Sequence, residues 1–192
     1  MFKCDDGDWD VRIKGWTPAG TSGYRYSRMG YYAGQGLGSG DMNGDGYNDI
    51  AISTGYYCYI YYSSSSYYSS TGCTWVIPGR NRTEWTQWGG HYNLLERQGD
   101  YMMFTRRSSS AYSGYNPRFG DVNGDGYDDL LIGSYRGSGD YGGYVYVIFG
   151  KADLTEFKTG TFWNQYPYGG YYNDIENVYD LRFQGEASSY LA

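Results

Sequence analysis

Nine residues carry the densest set of oxygen ligands in this chain. They read Asp41-Met42-Asn43-Gly44-Asp45-Gly46-Tyr47-Asn48-Asp49. Starting 80 residues later they recur as Asp121-Val122-Asn123-Gly124-Asp125-Gly126-Tyr127-Asp128-Asp129. Both copies share the pattern D-x-N-G-D-G-Y-x-D, with side-chain oxygens at positions one, three, five and nine. A hard divalent cation takes about six to eight oxygens, and Ca²⁺ accepts irregular geometry. Three Asp carboxylates, one Asn amide oxygen and a backbone carbonyl near position seven suit it. The glycines at positions four and six allow the positive φ angles that fold a chain round an ion.

The spacing of the first five positions also fits an EF-hand, which needs a bidentate Glu at position twelve and a helix beyond. Position twelve is Ile52 in one copy and Ile132 in the other. The two loops continue into Asp49-Ile50-Ala51-Ile52-Ser53 and Asp129-Leu130-Leu131-Ile132-Gly133, which read as short strands. Each loop is therefore expected to join two strands of a hairpin. A metal-free Asn-Gly or Asp-Gly turn is the competing reading. Two copies with identical ligand positions, in a carboxylate density no hairpin needs, argue for two Ca²⁺ sites.

The elements that must position these loops are set by composition and repetition. The chain has 192 residues, enough for one ordinary domain. It holds 31 Gly and 27 Tyr, few Leu, Ala or Lys, and 21% aromatic residues. Gly-rich turns between aromatic and β-branched runs point to an all-β protein. The formal net charge is −6, with six carboxylates at the ligand positions, and no basic stripe suggests nucleic acid. No run is long and apolar enough to span a membrane as a helix. Met1 to Asp6 does not read as a signal peptide, so an exported protein would be represented by a mature form or a piece.

Beyond each loop lies a second matching strand, Thr74-Trp75-Val76-Ile77-Pro78-Gly79 and Val145-Tyr146-Val147-Ile148-Phe149-Gly150. A third element, Val11-Arg12-Ile13-Lys14-Gly15 and Leu181-Arg182-Phe183-Gln184-Gly185, is expected to open each unit, with Met102 to Arg106 in the same slot. That makes about four strands per repeat, the pattern of β-propeller blades. The expected division is 1–100 for the first blade with its lead-in, 101–180 for the second, and 181–192 for the start of a third. Tyr144 to Phe149 is apolar on both alternating faces, as a strand sandwiched between blades must be.

Between loop and V-I-x-G strand the first copy is nine residues longer, in a Tyr/Ser-rich stretch. Cys58 and Cys73 flank that stretch and are expected to close it as a disulfide, since the rest of the chain reads as secreted; reduced thiols are the competing reading, and Cys4 is left over. Asn81-Arg82-Thr83 is an N-glycosylation acceptor by sequence.

The paired loops, Phe119-Gly120 before the second of them, and the V-I-F-G-K strand resemble FG-GAP repeats, as in the β-propeller of integrin α-chains. In the first copy Gly36-Leu37-Gly38 stands in place of the F-G pair. The resemblance implies calcium ligands Asp41, Asn43, Asp45 and Asp49, with the Tyr47 carbonyl, and Asp121, Asn123, Asp125 and Asp129, with the Tyr127 carbonyl. It implies a structural role for the ions. It also implies a ring of more blades than this chain holds. The missing faces would be covered by the rest of a longer propeller or by other copies, in an oligomer or fibre.

The functional expectation is a calcium-stabilised extracellular or cell-surface module of structural or adhesion type, and no enzyme. Its partners would be glycans or cell-surface proteins, not nucleic acid or membrane. The alternative is a carbohydrate-binding module using Trp85, Trp88, Trp163, Tyr166 and Tyr168. The single histidine, His91, has no recognisable nucleophile partner. Asp5, Asp6, Asp8 and Asp10 form a weaker acidic cluster that reads as a solvated terminus.

Overall fold

The computed structural model describes residues 11–15, 36–55, 58, 60–61, 67–68, 71–87, 89–94, 97, 99–136, 142–159, 161–163 and 170–186. In order the strands are β1 (Arg12–Lys14), β2 (Leu37–Gly40), β3 (Asp49–Thr54), β4 (Ile60–Tyr61), β5 (Tyr67–Tyr68) and β6 (Cys73–Ile77). Helix α1 (Arg82–Thr86) leads to β7 (His91–Asn93), β8 (Met102–Thr105), β9 (Ser113–Gly120), β10 (Asp129–Ser134) and β11 (Tyr144–Ile148). The last part holds α2 (Thr155–Lys158), β12 (Thr161–Trp163), β13 (Gly170–Asp174), α3 (Ile175–Val178) and β14 (Leu181–Gln184). The protein is all-β with a few one-turn helices. No described helix is long and apolar enough to cross a membrane, a statement that does not extend to strands.

Two sheets carry the repeat. The first runs β12-β13-β8-β6-β3-β2 and the second β14-β11-β10-β9. The blade proper is β2-β3-β6-β8 in one and β9-β10-β11-β14 in the other, antiparallel throughout. The third element of the repeat thus ends a blade instead of opening one. Met102 to Thr105 is the outer strand of the first blade, and Leu181 to Gln184 that of the second. Arg12 to Lys14, expected in the same slot, pairs in parallel with β7 in a separate two-stranded sheet. Local sequence gives a strand its pattern but not its partner, because pairing is decided by what lies beside it after folding.

Each blade is buried on two faces, which explains the continuous apolar runs. Ala51, Val76, Met102 and Phe104 of the first blade pack against Leu130, Ile132, Tyr144, Tyr146 and Ile148 of the second. The opposite face of the first blade, with Ile50, Ile52, Trp75, Ile77 and Met103, lies under Val11, Ile13, Trp85, Tyr92 and Leu94. The β1–β7 pair and α1 therefore cover that face. The expectation that a two-blade piece leaves both of its outer faces open is corrected here: the first is closed by the chain itself.

A polar joint locks the two blades at their outer side. The Arg106 Nε stands 2.9 Å from Glu176 Oε1, and Arg182 Nη1 lies 3.1 Å from Oε2. The Tyr146 hydroxyl donates to the same carboxylate at 2.6 Å. Burial, then this bond, pushes the Tyr146 hydroxyl pKa upward. Arg106 is 5% exposed, so its charge depends on Glu176 for compensation.

The longer first connection holds the short β4–β5 hairpin. Cys58 and Cys73 form a disulfide there, with Cα atoms 5.8 Å apart, and both are fully buried.

Candidate metal centre

Both oxygen-rich loops sit at hairpin ends, as the spacing predicts. Gly40 pairs with Asp49 across the first loop and Gly120 with Asp129 across the second. This register makes Ser39-Gly40 the counterpart of Phe119-Gly120, correcting the placement at Gly36-Leu37-Gly38. Gly44, Gly46, Gly124 and Gly126 all take positive φ, from 69° to 91°. Position-four and position-six glycines are therefore used for the conformations that only glycine adopts cheaply.

Inside each loop the first Asp collects backbone donors. In the first loop, Asp41 Oδ1 accepts from the Asp45 N–H at 3.1 Å and Oδ2 from the Gly46 N–H at 2.8 Å. In the second, Asp121 accepts from Gly124, Asp125 and Gly126 at 2.7, 3.1 and 2.9 Å. Those N–H groups, Gly126 foremost, hold the exposed Asp121 carboxyl below its usual range. Position three bonds to position five in both copies. Asn43 Nδ2 donates to Asp45 Oδ2 at 2.8 Å and Asn123 Nδ2 to Asp125 Oδ2 at 2.9 Å. The Tyr47 and Tyr127 N–H groups donate to the Oδ1 of Asp45 and Asp125.

Position nine works differently. Asp49 and Asp129 are 0% exposed. Asp49 accepts the Met42 N–H at 3.0 Å and the Gly79 N–H at 2.7 Å. Asp129 does the same with Val122 at 2.9 Å and Gly150 at 2.9 Å. Burial pushes the Asp49 carboxyl up to about 6, partly offset by the Gly79 and Met42 bonds, with Asp45 and Asp41 adding repulsion. Gly79 and Gly150 must stay small. A Cβ at 79 would stand 2.6 Å from the Tyr47 carbonyl oxygen, and one at 150 would stand 2.7 Å from that of Met42. The glycine of V-I-x-G is thus part of the loop's seat, a link the repeat pattern did not reveal.

The two loops also touch. The Asp41 N–H donates to Asp128 Oδ2 at 2.9 Å, the Asp128 N–H to the Asp41 carbonyl at 3.0 Å, and the Lys151 N–H to the Met42 carbonyl at 2.9 Å. Asp128 occupies position eight, which sequence reasoning treated as a spacer.

The donor set fits calcium in kind: hard oxygens only, carboxylate-rich, on loops already curled by glycine. Their hydrogen bonds do not use up the donors, since a carboxylate offers about four lone-pair sites. Among the described residues, however, no group of three or more acidic, His or Cys side chains is gathered about one point. Positions one, three and five bond within the loop, while position nine faces the backbone beneath it.

The other expected residues lie apart from the loops. Asn81 is exposed and caps α1, its Oδ1 accepting the Glu84 N–H at 3.0 Å while Glu84 accepts the Asn81 N–H. Trp85 packs edge-on to Tyr92 at 5.6 Å, with the Arg80 guanidinium 4.9 Å over its ring. That ring helps cover the first blade, so the structure does not present it as a free sugar platform. His91 lies exposed on β7 opposite Arg12. Cys4, the acidic cluster at Asp5, Asp6, Asp8 and Asp10, Trp88, Tyr166, Tyr168 and the Trp163 side chain fall outside the described residues.

The FG-GAP repeat family matches the chain at residues 33–67 and 113–148, each stretch enclosing one loop with the strands on either side. No curated protein matches it.

Proposed function

We propose that this chain, which matches the FG-GAP repeat family at residues 33–67 and 113–148, is a calcium-stabilised structural or adhesion module of propeller type and not an enzyme. The observation that carries the reading is the duplicated loop. Two oxygen-only donor sets sit side by side at one edge of a two-blade core, alike in their internal bonds except that Asp121 also accepts the Gly124 N–H. Asp41, Asn43, Asp45 and Asp49 would hold one ion and Asp121, Asn123, Asp125 and Asp129 the other, each with a carbonyl from Tyr47 or Tyr127. A bound cation would neutralise carboxylates that otherwise repel one another. It would also stiffen the contact between the loops, which sit beside the blade joint.

FG-GAP repeats occur in extracellular and cell-surface proteins. The buried Cys58–Cys73 disulfide agrees with an oxidising compartment. Partners on this reading are further blades and surface proteins. Of the side chains on which the carbohydrate-binding alternative rests, Trp85 alone is among the described residues, and its ring is used in packing.

Calorimetric titration with Ca²⁺ tests the proposal. Two ions per chain, lost one at a time in Asp41→Ala and Asp121→Ala, are expected. A chelated protein that takes up no calcium, yet melts at the same temperature with and without it, would remove the metal from the account.

A further inference from the structure

Asp128, at position eight of the second loop, is bonded twice to Asp41, at position one of the first. The Asp41 N–H donates to Asp128 Oδ2 at 2.9 Å, and the Asp128 N–H donates to the Asp41 carbonyl at 3.0 Å. Both residues stand inside donor sets. Asp41 brings the first carboxylate of its loop, whose oxygens accept from Asp45 and Gly46. Asp128 lies between Tyr127 and Asp129, the carbonyl and carboxylate donors of its own loop. A residue outside the second donor set thus grips the first.

The rest of the first loop leans the same way. The Lys151 N–H donates to the Met42 carbonyl at 2.9 Å. A Cβ at Gly44 would stand 2.7 Å from the Tyr127 ring, whereas one at its counterpart Gly124 would meet nothing within 4 Å. Met42 is 0% exposed and its counterpart Val122 is 52%. Positions one, two and four of the first loop are therefore built against the second blade. At Val122 and Gly124 the described residues provide the second loop with no such seat.

We infer that the two loops take up calcium with positive coupling, and that Asp128 is the positioning residue that carries it. The inference rests on the calcium reading and adds how its two sites act on each other. A filled second loop fixes the Tyr127 carbonyl and the Asp129 carboxylate, on either side of Asp128. It thereby fixes the side chain that holds the Asp41 backbone. Less of the first loop is then left to order when that loop fills in turn. Linkage makes the effect reciprocal. Charge alone gives the opposite sign. Neighbouring cations repel, and an emptied second loop keeps more net negative charge than a filled one, so it would draw the first ion in more tightly.

The test reads each loop separately, from the amide resonances of Gly46 and Gly126 as calcium is added to the chelated protein. These are the position-six N–H groups that donate to Asp41 and Asp121. Asp121→Ala, at an exposed residue, empties the second loop. It should raise the calcium concentration that half-fills the first loop by at least about fivefold, the low end of ordinary coupling between sites. With Asp128→Ala already in place, Asp121→Ala should leave the Gly46 midpoint where it is. Asp128→Asn, whose amide oxygen still accepts the Asp41 N–H, should restore the dependence. Asn48→Ala, at the exposed position eight of the first loop, should leave the dependence intact. If Asp128→Ala disturbs the blade joint, seen in the Leu130 and Ile132 amides, the sign of the Asp121→Ala effect in the parent still decides. A Gly46 midpoint that Asp121→Ala leaves unchanged or lowers, in a parent that binds two ions, overturns the coupling and leaves the calcium reading standing. Equal loss of the dependence in Asp128→Asn and Asp128→Ala assigns the effect to charge and removes Asp128 as its positioning residue. A parent that binds no calcium overturns both readings.

Discussion

The Asp49 carboxylate holds the Gly79 N–H at 2.7 Å and the Met42 N–H at 3.0 Å. One buried side chain thereby ties the start of the loop to Gly79, which lies just beyond β6 and 30 residues from Asp49. Asp129 repeats the tie with Val122 and Gly150. Asp49→Asn replaces one acceptor by an amide that faces a backbone donor. A hydrogen bond to a charged group is worth about 1.5–3 kcal/mol, and the orphaned N–H adds to its loss. The substitution should therefore lower stability by about 2–3 kcal/mol in the chelated protein, read as a shift of the urea midpoint at constant slope.

The raised pKa of Asp49 sets a pH window. Unfolded, the carboxyl titrates near 3.8; folded and metal-free, near about 6. Between those values the folded chain holds the proton more tightly than the unfolded one, so stability falls as pH rises through the window. Below about 3.8 and above about 6 this group contributes no slope. Urea midpoints of the chelated protein across the window should fall with pH, and those of Asp49→Asn should fall less. On the calcium reading the ion should offset the loss. A calcium-induced gain that does not grow with pH would count against coordination by Asp49.

Gly40 and Gly120 make a matched pair. A Cβ at Gly40 runs into Phe119 and Asp128 of the neighbouring blade, while one at Gly120 meets nothing within 4 Å. Gly40→Ala should cost about 1–3 kcal/mol, the usual range for overpacking. Gly120→Ala should stay within about 0.5 kcal/mol. Equal losses in thermal melts would mean that the blades meet in another register.

Glu176 gathers Arg106, Arg182 and Tyr146. Glu176→Ala leaves the Arg106 guanidinium buried without its counter-ion. Removing one partner of a buried pair costs about 3–5 kcal/mol. Glu176 is 29% exposed, so solvent screening brings the expected loss to about 2–3 kcal/mol. A double-mutant cycle with Arg106→Leu isolates the pair, and a coupling near zero would reassign the loss to packing.

The Cys58–Cys73 bridge spans 15 residues. Closing a loop of that size stabilises by about 3 kcal/mol in the chain-entropy picture. Reductant, or Cys58→Ala with Cys73→Ala, should lower the unfolding free energy by that order. Denaturant curves with and without reductant read it directly.

Much of the loop chemistry was legible in sequence because it is local. Position and residue type within nine residues specify the donors, the glycine conformations and the hairpin. The apolar runs announced strands covered on both faces. The roles of Asp128, Gly150 and Glu176 were not legible, since each depends on a neighbour brought in from another segment. Nor was the role of Trp85, whose ring type suits a sugar or a core equally until its surroundings are known.

By itself, then, the sequence determined a repeated, oxygen-rich hairpin in an all-β chain, because side-chain period and turn chemistry act over a few residues. Only the tertiary structure decided which strand ends each blade, which outer face is capped and which stays open. Those are matters of pairing and burial between segments far apart in the chain, and no local pattern encodes the partner.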